Sequence, residues 1–126
     1  MTGACSGALD PFITLVTERP EYHLNDSVWA FYTLGNFGPT VWVDAYAAVQ
    51  MPGDPNLYSL FDFSTTLTPI SLDLQQGTYV APTQLLDYPI LNPLPGGQYT
   101  IYAALCVPGT TYEFIGDITA ASFTYE

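Results

Sequence analysis

The sequence has no lysine and a single arginine, Arg19, against twelve carboxylates, for a formal net charge of −11. Nucleic-acid binding relies on clustered cations that release counterions from phosphate, and this chain has none to cluster. Attraction to anionic membrane surfaces fails for the same reason. No run of about 18 apolar residues is present, so no helical membrane insertion is expected. Residues 1–11, MTGACSGALDP, lack the basic and apolar regions of a signal peptide, so an exported form would carry its signal outside this stretch. There is one histidine, His23, and two cysteines, Cys5 and Cys106, without a CxxC pair. That inventory is too small for a zinc site, and neither metal nor cofactor is expected. Charged residues make up only 10% of the chain, far too few for a halophilic surface. The negative balance fits a soluble secreted or cell-surface domain instead.

Against these absences stand 126 residues that are 48% hydrophobic and 15% aromatic. This is enough to bury the core of one domain, and the aromatics exclude disorder. Eleven prolines and ten glycines are spread along the chain. They leave no proline-free stretch with sustained i, i+3, i+4, i+7 apolar spacing, so long helices are excluded. Between them lie short β-branched and aromatic runs at 11–18, 27–35, 40–51, 57–63 and 97–107, with 121–126 closing the chain. Weaker runs occur at 70–74 and 83–91, where Pro82, Pro89 and Pro93 confine them to edges or strand ends. Residues 19–26 read as a turn, and 108–119 as a loop or short irregular strand. Seven to eight antiparallel strands, with turns about every eight to twelve residues, predict an all-β two-sheet sandwich over 11–126. Residues 1–10 read as an extension or linker.

The most patterned stretch is NPLPGGQYTIYAALCVPGT at 92–110. Its adjacent glycines, Gly96 and Gly97, follow two prolines and precede a period-two alternation, so a phosphate-binding loop opening a helix is excluded. Tyr99, Ile101, Ala103, Leu105 and Val107 fall on one face, and Gln98, Thr100, Tyr102, Ala104 and Cys106 on the other. The stretch LNPLPGGQYTIYAAL resembles the corner leading into strand F of immunoglobulin-like and fibronectin type III-like domains. Tyr99 stands where the corner tyrosine bonds back to the upstream backbone. LNDSVWAFYTLGNFGPTVWVDAYAAVQMPGD, with its Asn36-Phe37-Gly38 loop, resembles strands B and C of CARDB-like modules in bacterial surface and secreted proteins. This resemblance implies an immunoglobulin-like sandwich that serves as a structural or interaction module, with no catalytic residue to carry over. It lacks the antibody pattern's strand-B cysteine. In such a sandwich Cys5 precedes the first strand and Cys106 closes strand F, so both fall near one end. A disulfide between them would close a loop of about a hundred residues, worth at most ~4.7 kcal/mol in the chain-entropy model, and would imply an oxidising compartment.

Residues 40–51 sort Val41, Val43, Ala45, Ala47 and Val49 onto an apolar face, expected to meet the core. Trp42, Asp44 and Tyr46 are left in line on the other face. With Tyr102 from the neighbouring strand they would form a flat aromatic platform for sugar rings or a protein partner. The competing arrangement puts the large side chains inward or tucks Trp42 under a loop. Carboxylates at 44, 54, 62, 73, 87, 113 and 117 could pair for glycoside hydrolysis, but most sit at turns where Asp caps the backbone. His23 is the only candidate base, and no G-x-S-x-G occurs. GDPN at 53–56 and GD at 116–117 could offer oxygens to Ca²⁺, although turn chemistry explains both. The expectation is a non-catalytic extracellular module with protein or polysaccharide partners. The alternatives are a carbohydrate-binding module and a subunit of an extracellular filament or surface layer.

Overall fold

The computed structural model describes residues 11–60, 62–110, 113–116 and 118–126. Nine strands run through them in the order β1 (Phe12–Thr17), β2 (Glu21–Tyr22), β3 (Ser27–Asn36), β4 (Val41–Gln50), β5 (Leu57–Ser59), β6 (Ile70–Leu74), β7 (Thr78–Pro89), β8 (Gly97–Cys106) and β9 (Thr119–Tyr125). No helix occurs among the described residues, so none is long and apolar enough to cross a membrane. The expected all-β, two-sheet sandwich is the fold of this chain. One sheet has the order β1-β3-β7, and the other β2-β9-β8-β4-β5, with β6 pairing the first half of β4.

The departures from expectation are local. β2 lies inside the segment expected to be a turn, because two residues beside Pro20 carry no strand pattern. Its pairing with β9 is parallel, and Thr124 N–H donates to the Pro20 carbonyl at 2.8 Å. β7 starts at Thr78, earlier than expected, and passes through Pro82. It is an edge strand, and its register against β3 shifts beside that proline, where a missing N–H costs nothing. The run expected at 57–63 ends as a strand at Ser59, after which the chain turns, with Phe63 N–H donating to Ser59 O.

Alternation sorts the core as the sequence implies. Val49 and Ala47 of β4, Ile101 and Ala103 of β8, and Val28 and Ala30 of β3 point between the sheets, all under 9% exposed. Val43, Leu105, Leu34 and Leu74 form a second cluster at the other end of the sandwich. Tyr99 anchors the β8 corner, its hydroxyl donating to Pro95 O at 2.7 Å. Its ring stacks on Phe123 at 5.2 Å, and Phe123 meets Tyr22 edge-on at 5.3 Å. Offset and edge-on pairs of this kind contribute about 0.5–1.5 kcal/mol beyond burial.

Asn36 ties the two sheets together at the opposite end. It is fully buried, and its amide donates to Leu74 O at 2.9 Å and Pro39 O at 3.0 Å. Its side-chain oxygen accepts from Gly38 N–H at 3.0 Å, and its own carbonyl accepts from Gly77 N–H at 2.7 Å. One side chain thereby fixes the β3–β4 loop to the end of β6. Asn36→Ala leaves two carbonyls and an N–H unpaired in the interior, so destabilisation of about 2–4 kcal/mol is expected in urea unfolding. A loss under about 1 kcal/mol would show that water replaces the amide.

Candidate functional site

Chemistry-bearing side chains gather on the outer face of β4 and β8. These strands pair antiparallel, Asp44 opposite Cys106, Tyr46 opposite Ala104 and Ala48 opposite Tyr102. Because Val43, Ala47 and Val49 face the core, Trp42, Asp44 and Tyr46 face out, as alternation requires. Trp42 is 57% exposed, so the arrangement with the large side chains inside does not occur.

The outer face is not a flat platform. Asp44 is only 6% exposed and Cys106 only 1%, since the chain leaving β8 folds back over both. The fold-back begins with a turn at Val107-Pro108-Gly109-Thr110. Pro presets one central residue, Gly109 takes φ +83°, and Thr110 N–H closes the turn on Val107 O at 3.0 Å. Asp44 pins this turn by accepting Gly109 N–H at 2.9 Å, and its other oxygen accepts the Ser71 hydroxyl at 3.1 Å. The Tyr46 hydroxyl donates to Thr110 O at 3.2 Å. Further on, Ile115 N–H donates to Leu105 O at 2.7 Å and Val107 N–H to Glu113 O at 2.9 Å, forming a bridge between Cys106 and Phe114.

Between this fold-back and the β5–β6 connection runs an apolar groove of about 440 Å³. Tyr46, Ala48, Tyr102 and Ala104 form its floor, with Leu57 and Leu67 along one side and Phe114 and Ile118 along the other. The Tyr102 hydroxyl donates to the Gln50 side chain at 3.3 Å, so both floor tyrosines are held by their polar tips. Of the four expected residues, Tyr46 and Tyr102 share the groove and Asp44 supports its wall from beneath. Trp42 does not line the groove and stands opposite Asp73 of β6. Phe114, Ile118, Leu57 and Leu67 were missed, because only the tertiary path of two loops brings them there. The PGT turn after a strand was the one visible cue.

Five of the carboxylates weighed for hydrolysis, Asp44, Asp54, Asp62, Asp73 and Asp87, accept structural hydrogen bonds. Asp54 accepts Asn56 N–H at 2.9 Å and the Tyr58 hydroxyl at 2.6 Å, which closes the GDPN turn. Asp62 accepts Ser64 N–H at 3.0 Å, Asp73 the Gln75 amide at 2.9 Å, and Asp87 the Trp29 indole at 2.9 Å. His23 pairs with Glu21 at 2.9 Å on the surface. No group of three or more His, Cys, Asp or Glu side chains that could hold a metal occurs among the described residues. Cys5 and Asp117 lie outside the described residues, and Cys106 is buried with no disulfide partner among the described residues.

No protein-family profile matches the sequence, and no curated protein is significantly similar to it. Solved structures do resemble it. The alkylpurine DNA glycosylase AlkC of Pseudomonas fluorescens, bound to DNA with an abasic-site analog, superposes at a TM-score of 0.53 and 13% identity over 92% of this chain. Only 30% of the glycosylase is covered, so the chain spans under a third of that protein. The CARDB domain of a Pyrococcus furiosus protein in complex with di-metal ions matches at 0.48 and 16% identity, over 93% of this chain and 90% of that one. The sporulation control protein Spo0M of Bacillus subtilis matches at 0.45 and 13%, over 93% of this chain and 49% of that one. At such identities the glycosylase match speaks for the sandwich fold alone.

Burial, and next the Asp44 charge, raise the Cys106 thiol and the Tyr46 phenol above their ordinary values. The hydrogen bond to Asp54 raises Tyr58, and burial raises Tyr99. All four are neutral when protonated, so the folded state favours their protonated forms. That stabilisation is complete below the ordinary thiol and phenol range and is lost as pH climbs through the higher folded values. The Tm of the reduced protein should therefore fall between about pH 8.5 and 11, and a flat Tm across that window would contradict the burial of Cys106, Tyr46 and Tyr99 and the Tyr58–Asp54 bond. In the reduced protein, Cys106 should resist a bulky disulfide reagent until unfolding, and Asp44→Ala should speed its labelling at least roughly tenfold by releasing the Gly109 turn. Equal labelling rates would show that Asp44 does not hold the cover down.

Proposed function

We propose that this chain is a non-catalytic module of a secreted or cell-surface protein, acting as a structural or interaction unit beside neighbouring domains. The supporting observation is the use made of its carboxylates. Asp44, Asp54, Asp62, Asp73 and Asp87 each accept a bond from a turn N–H, hydroxyl, amide or indole, which leaves them as structural caps. The corner bond of Tyr99, the Asn36-Phe37-Gly38 loop and the facing β1-β3-β7 and β9-β8-β4 orders favour an immunoglobulin-like, CARDB-like assignment. The charge of −11 argues against nucleic acid as a partner.

An oxidising compartment follows from the same reading, with Cys5 bridged to Cys106. The Pro11 carbonyl lies against Gly116, where an added Cβ would come within 2.9 Å, so the start of the described chain adjoins the segment that covers Cys106. Fractionation of the producing cells should find the protein outside the cytoplasm, with no free thiol after unfolding without reductant. Cytoplasmic recovery with two free thiols would contradict the reading.

A second reading, carbohydrate binding, has the groove in its favour, because Tyr46 and Tyr102 present held aromatic rings on an apolar floor. In affinity electrophoresis through polysaccharide gels, retardation should then disappear in the Tyr46→Ser, Tyr102→Ser double variant. Retardation that survives both changes would place sugar elsewhere. Filament assembly through strand pairing has less support, because Pro82 and Pro89 interrupt the β7 edge.

A further inference from the structure

A second hollow, of about 340 Å³, opens between the sheets at the end where β4 and β7 finish and β3 and β8 begin. Its floor is the core itself, with Val28, Val49, Ile101 and Phe123 all under 9% exposed. Its lip is made of its two most exposed members, Phe63 at 47% and Tyr88 at 37%, whose rings meet edge-on at 5.9 Å. Only two hydroxyls belong to the lining, those of Tyr88 and Tyr99, and Pro95 O already takes the Tyr99 hydroxyl.

Three physical arguments converge on an occupant. An unfilled apolar hollow forfeits the packing contacts that side chains on its floor would otherwise make. Solvent that enters the hollow faces an almost wholly apolar wall, so its displacement by an apolar ligand is favourable. Charge then selects among ligands. Arg19, the one lysine or arginine of the chain, is engaged with Glu18 at 3.1 Å and Asp26 at 3.3 Å. An acidic headgroup would find no free lysine or arginine and would meet a protein of charge −11. Size follows from comparison, since an engineered apolar cavity of about 150 Å³ accepts benzene.

We propose that this hollow is a binding site for a small, uncharged, apolar ligand of about two-ring size, gripped between the core floor and the Phe63–Tyr88 pair. The site is separate from the Tyr46–Tyr102 groove and does not depend on what that groove binds.

The test uses 1-aminonaphthalene, an uncharged two-ring fluorescent probe, and its anionic relative 8-aminonaphthalene-1-sulfonate. The neutral probe should bind the intact folded protein saturably at one site, with a blue-shifted emission. The sulfonate should bind at least roughly tenfold more weakly, since it would carry its charge into an apolar, cation-free site. On addition of the neutral probe, NMR shifts should centre on the methyls of Val28, Val49 and Ile101. Leu86→Trp and Val49→Phe fill the hollow, and whichever folds should lose at least roughly tenfold in probe affinity. The proposal is overturned if no saturable binding occurs, if the sulfonate binds as tightly, or if the shifts centre on Tyr46 and Tyr102. The wild-type titration and its NMR map decide the matter even if both filling variants misfold.

Discussion

With one guanidinium for twelve carboxylates, this fold must settle nearly all of its negative charge on neutral donors. Asp44 bears the strongest mark of that constraint. A buried carboxylate without a cation is costly unless both oxygens accept hydrogen bonds. The two donors it recruits, Gly109 N–H and the Ser71 hydroxyl, come from segments on opposite sides of β4. Satisfying one charge therefore fixes the path of the chain after β8 and the placing of β6. The covered thiol and the walls of the outer groove are consequences of that local requirement.

The interior obeys a different rule. Aromatic contact at one end, Tyr22 against Phe123 against Tyr99, and a saturated amide at the other, Asn36, hold the sheets in one relation. Between them the floor is mostly Val, Ile and Ala, small or branched side chains that suit pleated strands but leave space where β4 gives way to its turn. The hollow beneath Phe63 and Tyr88 lies at that point.

Alternation made the large elements legible. β4 and β8 carry period-two sorting, and their inward faces fall where it places them, while the bounds of β3, β4 and β8 lie within a residue of the expected runs. Tyr99 was legible because a Pro-Gly corner before a Tyr has a local geometric meaning. β2 was not legible, since two residues cannot display a period and their partner lies about a hundred positions away. The depth of Asp44 was hidden for a related reason: outward orientation is a property of the strand, whereas exposure depends on whichever loop returns over it. Trp42 and Asp44 share a face, yet one is open and the other sealed.

The solitary arginine has one more consequence. Its guanidinium lies over the Tyr22 ring, and the next residue is Pro20, whose carbonyl accepts from Thr124. Trypsin-like proteases cut after a basic side chain and are obstructed when an imino acid comes next. The only bond in this polypeptide that such an enzyme could recognise is thus also one that it handles poorly, and digestion with it leaves the chain in one piece even when unfolded.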